Sequence, residues 1–304
     1  MMQWIKLKDR VEVVGLIGAG TMGRCMLLKL VEAGYVPVVY DPVAAAQNFA
    51  RENGAEVEAD PAGVAAVADI ILMSLPGPRV IDNVIFGEAG LANTLKAGQV
   101  IVDTSTVDPD TSKQIAKKLT GLGVAYLDAP ILGRPSAVGR WVMPVGGEAG
   151  PFEYCKPVLL SFAAKAVSVG QTGAGNAIKL LNQLMFSSIN AITSEVMAIA
   201  PKVGIEPKLF FETVSTSGAA TVSGLFCEVA KKIVEDDYSN PVFTIDLLCK
   251  DANLALKMAK ASGAPSFMAG MAQLYNDVAQ GSGIGKEDTS ALHKVFQRLY
   301  NNEK

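Results

Sequence analysis

From residue 13 to about residue 169, short β-branched runs alternate with longer Ala-rich stretches whose apolar residues recur at helical spacing. Strands that alternate with helices in this way build a parallel sheet covered on its faces by the helices. The runs predict strands at 13–17, 37–40, 70–74, 100–103, 125–128, 142–145 and 166–169, most of them closed by Gly, Pro or polar residues. After Gly170-Gln171-Thr172-Gly173-Ala174-Gly175 the β-rich runs thin out and helical periodicity takes over. The stretch 177–203 is long enough for one helix of roughly 40 Å at 1.5 Å per residue, with Gly204 as its stop signal. The pattern therefore predicts a doubly wound α/β domain with a parallel sheet over 1–171 and an all-α domain over 172–304.

Composition narrows the partners. A chain of 304 residues with 50% hydrophobic content can bury two cores, and a net charge of −3 offers no broad basic surface to nucleic acid or anionic lipid. The cysteines at 25, 155, 227 and 249 form no CxxC pair and His293 is the sole histidine, so no metal cluster is expected. Reduced thiols point to the cytoplasm. The amino terminus carries Lys6, Lys8, Asp9, Arg10 and Glu12 before its first sustained apolar run, unlike a signal peptide, and no uncharged apolar stretch has the length of a bilayer. A soluble cytoplasmic protein without membrane partners is expected.

The segment VVGLIGAGTMGRCMLLKL sets Gly18, Gly20 and Gly23 between a strand and an apolar-periodic helix. Gly18 suits a tight turn, Gly20 lets backbone approach a pyrophosphate, and Gly23 lets helix and strand pack closely. Asp41, eighteen residues past Gly23 at the end of the next strand, can accept hydrogen bonds from the adenosine ribose and would repel a 2′-phosphate. NAD is therefore expected in preference to NADP, although Arg51 or a loop lysine could compensate.

Hydride transfer to a carbonyl needs a proton donor, and His293 lies in a terminal helical stretch where an ordinary structural or surface role is expected. Lysine, tyrosine or a carboxylate is left for the task. Lys179 and Asn182 are three apart and share one helical face, which suits a general acid/base beside a group that orients a substrate oxygen. The pair alone is better explained as a solvated helix face.

These residues resemble the β-hydroxyacid dehydrogenases over nearly the whole chain. Gly18-Ala19-Gly20-Thr21-Met22-Gly23 resembles the family's nucleotide motif, and Leu75-Pro76 and Asp103-Thr104-Ser105-Thr106 are similar to its later cofactor loops. Asp128-Ala129-Pro130 through Gly146-Gly147 stands in the place of its substrate-binding segment, and Gly173 to Gln183 resembles its catalytic helix. The resemblance implies a Rossmann-type N-terminal domain, an all-α C-terminal domain and assembly as a homodimer or homotetramer. It implies catalysis by Lys179, substrate binding by Asn182, and cofactor contacts from Thr21, Met22, Leu75, Pro76 and Thr106. Lys250-Asp251 is similar to a pair in which the lysine closes over cofactor and substrate.

One departure bears on the substrate. Where most members carry Ser-Gly-Gly to hold a carboxylate, this chain reads Leu132-Gly133-Arg134-Pro135-Ser136-Ala137. Arg134 supplies a planar, permanently charged fork suited to an oxyanion, and the arrangement resembles that of sulfolactaldehyde reductases within the family. A sulfonate facing Gly133, Arg134 and Ser136 and a carboxylate on the same residues are both open. Arg140 and Trp141, where the family has small residues, suggest an altered pocket. Two rival readings are an imine reductase, which usually lacks the lysine, and a silent dinucleotide-binding module, which would carry a damaged lysine motif.

Overall fold

The computed structural model describes residues 11–301; the charged segment through Arg10 and the tail beyond residue 301 lie outside the described residues. The chain forms two compact units, the first ending at Lys179 and the second beginning at Leu180.

In the first unit the chain runs β1 (Val14–Ile17), α1 (Thr21–Glu32), β2 (Val38–Tyr40), α2 (Ala44–Glu52), β3 (Glu56–Val57), α3 (Pro61–Val67), β4 (Ile70–Met73) and α4 (Pro78–Phe86). It continues through β5 (Val100–Asp103), α5 (Pro109–Thr120), β6 (Ala125–Asp128), β7 (Trp141–Gly146), α6 (Ala149–Phe162) and β8 (Ala163–Gly170) to the start of α7 (Ala174–Ile199). The strands form one sheet in the order β3-β2-β1-β4-β5-β6-β7-β8. The order reverses between β1 and β4, and in open α/β sheets the crevice at such a reversal, beyond the carboxyl ends of the strands, is where ligands bind.

The pleat explains why β4 and β5 read as unbroken apolar runs. Ile70 and Leu72 enter a core on one face with Met26, Leu27 and Leu30 of α1 and Phe152 and Leu159 of α6. Ile71 and Met73 enter the core on the other face with Val64, Ile81 and Ile115 of α3, α4 and α5. Both faces are covered, so both sets of alternate residues are apolar up to Asp103 at the carboxyl end of β5.

The sheet departs from expectation in two places. The strand β3 had no sequence signal, since two residues beginning with an exposed Glu56 carry no alternation. The sheet is also not wholly parallel: β6 and β7 pair antiparallel through Asp128 and Gly146 alone, whereas β7 and β8 are parallel. Alternating apolar runs report that strands are present and not which way they run, and here the connection from β6 to β7 holds no helix of α type to carry the chain back across the sheet.

The second unit is helical: after α7 come α8 (Pro207–Ser215), α9 (Gly224–Glu235), α10 (Ile245–Ala261), α11 (Phe267–Gly281) and α12 (Leu292–Asn301). Its core gathers Phe226, Val229 and Ile233 of α9, Ile245 and Cys249 of α10, and Val295 and Phe296 of α12. Ser223 and Thr244 cap α9 and α10 by accepting the backbone N–H groups of Phe226 and Leu247. The long helix begins at Ala174, passes into a 3-10 turn over Ala200–Val203, and ends at Gly204 in the left-handed region at φ 80°. The composition change proposed as a boundary at 171–172 thus falls where α7 starts.

Among the described residues, the stretch Ala174–Val203 is long and apolar enough, by length and composition only, to cross a membrane. Its buried face, however, carries Asn176, Gln183, Ser187, Asn190, Thr193 and Ser194. Several of these are bonded to protein, as in Asn190 to the Thr289 carbonyl and Asn276 to Ser187. His293 is buried, with Nδ1 3.0 Å from the Ser194 carbonyl oxygen, and burial pulls its pKa below the usual imidazole value. A histidine fixed in the helical core has the structural role expected of it.

Candidate active site

The three glycines of the first motif have different reasons to be glycine. Gly18 sits at φ 93°, and a Cβ there would lie 2.3 Å from the Ser74 carbonyl oxygen. A Cβ on Gly23 would lie 1.9 Å from the Gly18 carbonyl oxygen, so α1 approaches the turn closely only without one. At Gly20 a Cβ would meet no protein atom within 4 Å. Protein packing does not demand glycine there, which leaves the approach of a ligand as the physical reason. Gly20 is also the N-cap of α1, and neither a side-chain cap nor an acidic residue occupies that helix start. Its amide groups are suited to a pyrophosphate. Thr21 is exposed beside it, whereas Met22 is half-buried against the core under α1.

Asp41 is buried at the end of β2, and both carboxylate oxygens accept backbone N–H groups: Oδ2 from Ala19 at 2.8 Å and Oδ1 from Val43 at 2.9 Å. The carboxylate therefore shapes the glycine loop as well as setting a negative charge beside it. Asp41→Ala is expected to weaken discrimination between NAD and NADP by about tenfold through loss of that charge. It should also lower affinity for both, because the Ala19 amide loses its acceptor at a cost of roughly 1–3 kcal/mol. Titration of the variant with each dinucleotide checks this; unchanged discrimination would mean the ribose is read elsewhere.

At the ends of β4 and β5, the Leu75 amide donates to Ser105 Oγ at 2.9 Å, and Thr104 Oγ1 donates to the Met73 carbonyl at 2.7 Å. Buried Asp103 accepts from the Ser105 amide and from the Tyr126 hydroxyl. These bonds fix the two loops, leaving Pro76 exposed and Thr106 partly exposed at their tips.

The start of α7 is docked on the carboxyl end of β6. Asp128, fully buried, accepts the amide N–H of Gly173 at 2.6 Å on Oδ1 and that of Asn176 at 2.8 Å on Oδ2. Asn176 is itself buried, accepting from the Val107 amide at 3.2 Å and donating to Ser112 Oγ at 3.1 Å. Three residues further on, Lys179 is half-buried and its Nζ donates to the Ile131 carbonyl at 2.9 Å. The lysine thus stands at the root of the loop that carries Gly133, Arg134 and Ser136.

That loop is fastened by an unexpected residue. Trp141, expected to alter the pocket, is fully buried, packs edge-on to Phe162 at 6.3 Å, and donates its Nε1–H to the Arg134 carbonyl at 2.7 Å. A Cβ on Gly133 would lie 2.2 Å from the indole Cδ1, so glycine at 133 is required by the indole. Gly133 and Ser136 are exposed and Arg134 is half-buried. Gly146 and Gly147, expected within the substrate segment, pack instead against the structure beneath α7. A Cβ on Gly146 would lie 2.5 Å from Asp128 Oδ1, and one on Gly147 2.5 Å from Leu127 Cδ2.

In the second unit Asn182 is exposed and its amide lies 3.3 Å from Gln183 Oε1. Asp251, expected at the cofactor, is buried: its Oδ2 accepts from Gln183 at 2.6 Å and its Oδ1 pairs with Lys250 Nζ at 2.9 Å. Its contacts are thus to Gln183 and Lys250 within the second unit. Among the described residues no group of His, Cys, Asp or Glu is placed to hold a metal ion.

Sequence reasoning missed the roles of Asp128 and Trp141. A lone acid at the end of a strand carries no spacing signal, and an indole beside arginine reads equally as surface or core.

Comparison with known proteins agrees with this geometry. Residues 13–170 match the family described as the NAD binding domain of 6-phosphogluconate dehydrogenase. Residues 173–296 match that described as NAD-binding of NADP-dependent 3-hydroxyisobutyrate dehydrogenase. The chain is 32% identical to 2-(hydroxymethyl)glutarate dehydrogenase of Eubacterium barkeri, over 94% of this chain and 95% of that protein. It is 29% identical to 3-sulfolactaldehyde reductase of Escherichia coli, over 93% of this chain and 95% of the reductase. The crystal structure of 3-hydroxyisobutyrate dehydrogenase from Salmonella typhimurium superposes with a TM-score of 0.87 at 30% identity, over 93% of this chain and 99% of that one. A glycine turn built for a dinucleotide, a lysine on the helix that follows the sheet, and likeness along almost the whole chain have one common explanation: the protein belongs to the β-hydroxyacid dehydrogenase family and is an NAD-dependent enzyme.

Proposed function

We propose that the enzyme interconverts a small aldehyde bearing an anionic group and the corresponding alcohol, with Lys179 as general acid in reduction and general base in oxidation. The observation that carries this reading is the hydrogen bond from Lys179 Nζ to the Ile131 carbonyl, which brings the proton-transfer group to the root of the Gly133–Ser136 loop. NADH, when bound, supplies the hydride. Lys179 delivers the proton to the carbonyl oxygen as negative charge develops there. Arg134, Ser136 and the loop backbone at Gly133 hold the anionic end.

We assign a sulfonate to that anionic end, as in a sulfolactaldehyde. A guanidinium presents a fork of N–H donors that an uncharged serine hydroxyl lacks, and it stays charged at any working pH. The carboxylate reading is favoured by a relative named for 2-(hydroxymethyl)glutarate. A homodimer or homotetramer in the cytoplasm completes the proposal.

NADH oxidation by the purified protein against succinic, tartronate and methylmalonate semialdehydes, glyoxylate and sulfolactaldehyde decides between these. Selectivity for the sulfonate supports the assignment of Arg134. Selectivity for a carboxylate, or equal activity on both, removes the sulfonate reading. Silence on all of them overturns the proposal and brings imine reduction forward.

A further inference from the structure

We infer that Asp128 is a positioning residue for the reaction: its carboxylate fixes the first turn of α7 and thereby the place of Lys179 relative to the loop that follows Ile131. The inference rests on the reading of Lys179 as general acid/base.

The contacts form a closed circuit within the first unit. From the end of β6, Asp128 takes the amide groups of Gly173 and Asn176, two of the donors that a helix start leaves unpaired. Three residues past Asn176, Lys179 returns to the same segment of chain and donates to the carbonyl of Ile131, three residues past Asp128. Between them Asn176 ties the turn to Val107 and Ser112. The fit is tight. A Cβ on Gly175 would lie 2.4 Å from the Asp128 carbonyl oxygen and 2.6 Å from that of Pro144, and a Cβ on Gly173 would lie 3.0 Å from the Pro109 carbonyl oxygen. Helix and sheet approach so closely that a shift of α7 must carry the lysine with it.

A cap serving only stability would not need this chemistry. A serine or asparagine caps a helix at no charge-burial cost, whereas Asp128 is a buried carboxylate with a second, Asp103, close by. Burial, reinforced by the charge of Asp103, pushes its pKa up to about 6 even though the amides of Gly173 and Asn176 favour the charged form. The other groups on the packed elements are Tyr126 of β6, whose hydroxyl donates to Asp103, and Lys113 of α5, whose Cε would lie 3.3 Å from a Cβ on Gly173. Lys113 pairs with Asp110 in an exposed position. Above about pH 6 the carboxylate accepts both amides. Below it, a proton on one oxygen faces an N–H, and the turn loosens.

The test is Asp128→Asn in the full chain with NADH, because the amide is isosteric yet can accept on one atom only. We expect kcat to fall on the order of tenfold to a hundredfold, the scale of a misplaced catalytic group. The Kd for NADH should stay within about twofold, since the glycine turn at α1 is untouched. Amide hydrogen exchange at Gly173 and Asn176 should accelerate, and an acidic limb of kcat near pH 6 in the parent should vanish in the variant. If the amide variant does not fold, Asp128→Glu keeps charge and acceptors while lengthening the reach, and should lower kcat by a similar factor. Faster exchange with unchanged kcat would reduce Asp128 to a stabilising cap, and unchanged exchange would deny even that. Lys179→Ala measured alongside separates the failures. An active lysine variant defeats the lysine reading, while an inert one beside an unimpaired Asp128→Asn defeats this inference alone.

Discussion

Replacing Lys179 by alanine should lower turnover about a hundredfold or more, the usual scale of a lost general acid/base, while leaving NADH binding near its original affinity. The expectation follows from what the side chain touches. The bond from the ammonium to the Ile131 carbonyl fixes the direction of the stem. The alkoxide formed by hydride transfer would otherwise have to take its proton from water, at the cost of about 3 kcal/mol or more in the barrier that a hundredfold loss represents. Gly18, Gly20 and Gly23 form their turn at the start of α1, so the dinucleotide should not sense the change. Fluorescence titration with NADH and single-turnover NADH oxidation together check this. A variant that still binds cofactor and turns over at the original rate would mean that the proton comes from another group.

Replacing Arg134 by alanine should lower kcat/KM for the anionic aldehyde on the order of tenfold to a hundredfold, because hydrogen bonds to charged groups contribute about 1.5–3 kcal/mol. Most of the loss should appear in KM, since the anionic end of the substrate keeps its charge throughout the reaction and is bound equally in ground and transition states. Arg134→Lys keeps the charge but loses the planar fork, so it should recover only part. The loop itself should survive both changes. Trp141 holds it through the backbone carbonyl of residue 134, which every side chain retains. An uncharged aldehyde of similar size, compared on parent and variants, supplies the control: an equal loss on that substrate would show that the loop had collapsed.

Three residues show why some of the chemistry was legible in the sequence and some was not. Gly20 was legible because its requirement is local: a helix start, an open approach and no side chain. Asp41 was half legible. Its place at the end of β2 followed from spacing, but its bond to Ala19 depends on how β2 lies against β1. The partner of Asp251 was not legible, because adjacency to Lys250 in sequence does not reveal that its carboxylate bonds Gln183, far along the chain.

By itself the sequence determined the two-part plan, seven of the eight strands among the described residues, the long helix and its stop at Gly204, and the glycine turn. Each of these is written in near neighbours, as a period of two or of 3.6 residues or as glycines at fixed offsets. The tertiary structure alone decided the antiparallel turn of β7 against β6, the burial of Trp141 beneath the Arg134 loop, and the docking of α7 on Asp128. These depend on pairs such as Asp128 with Gly173 and Asn176, some 45 residues or more apart. Such partners share no periodicity along the chain, and only the closing of the sheet brings them within reach.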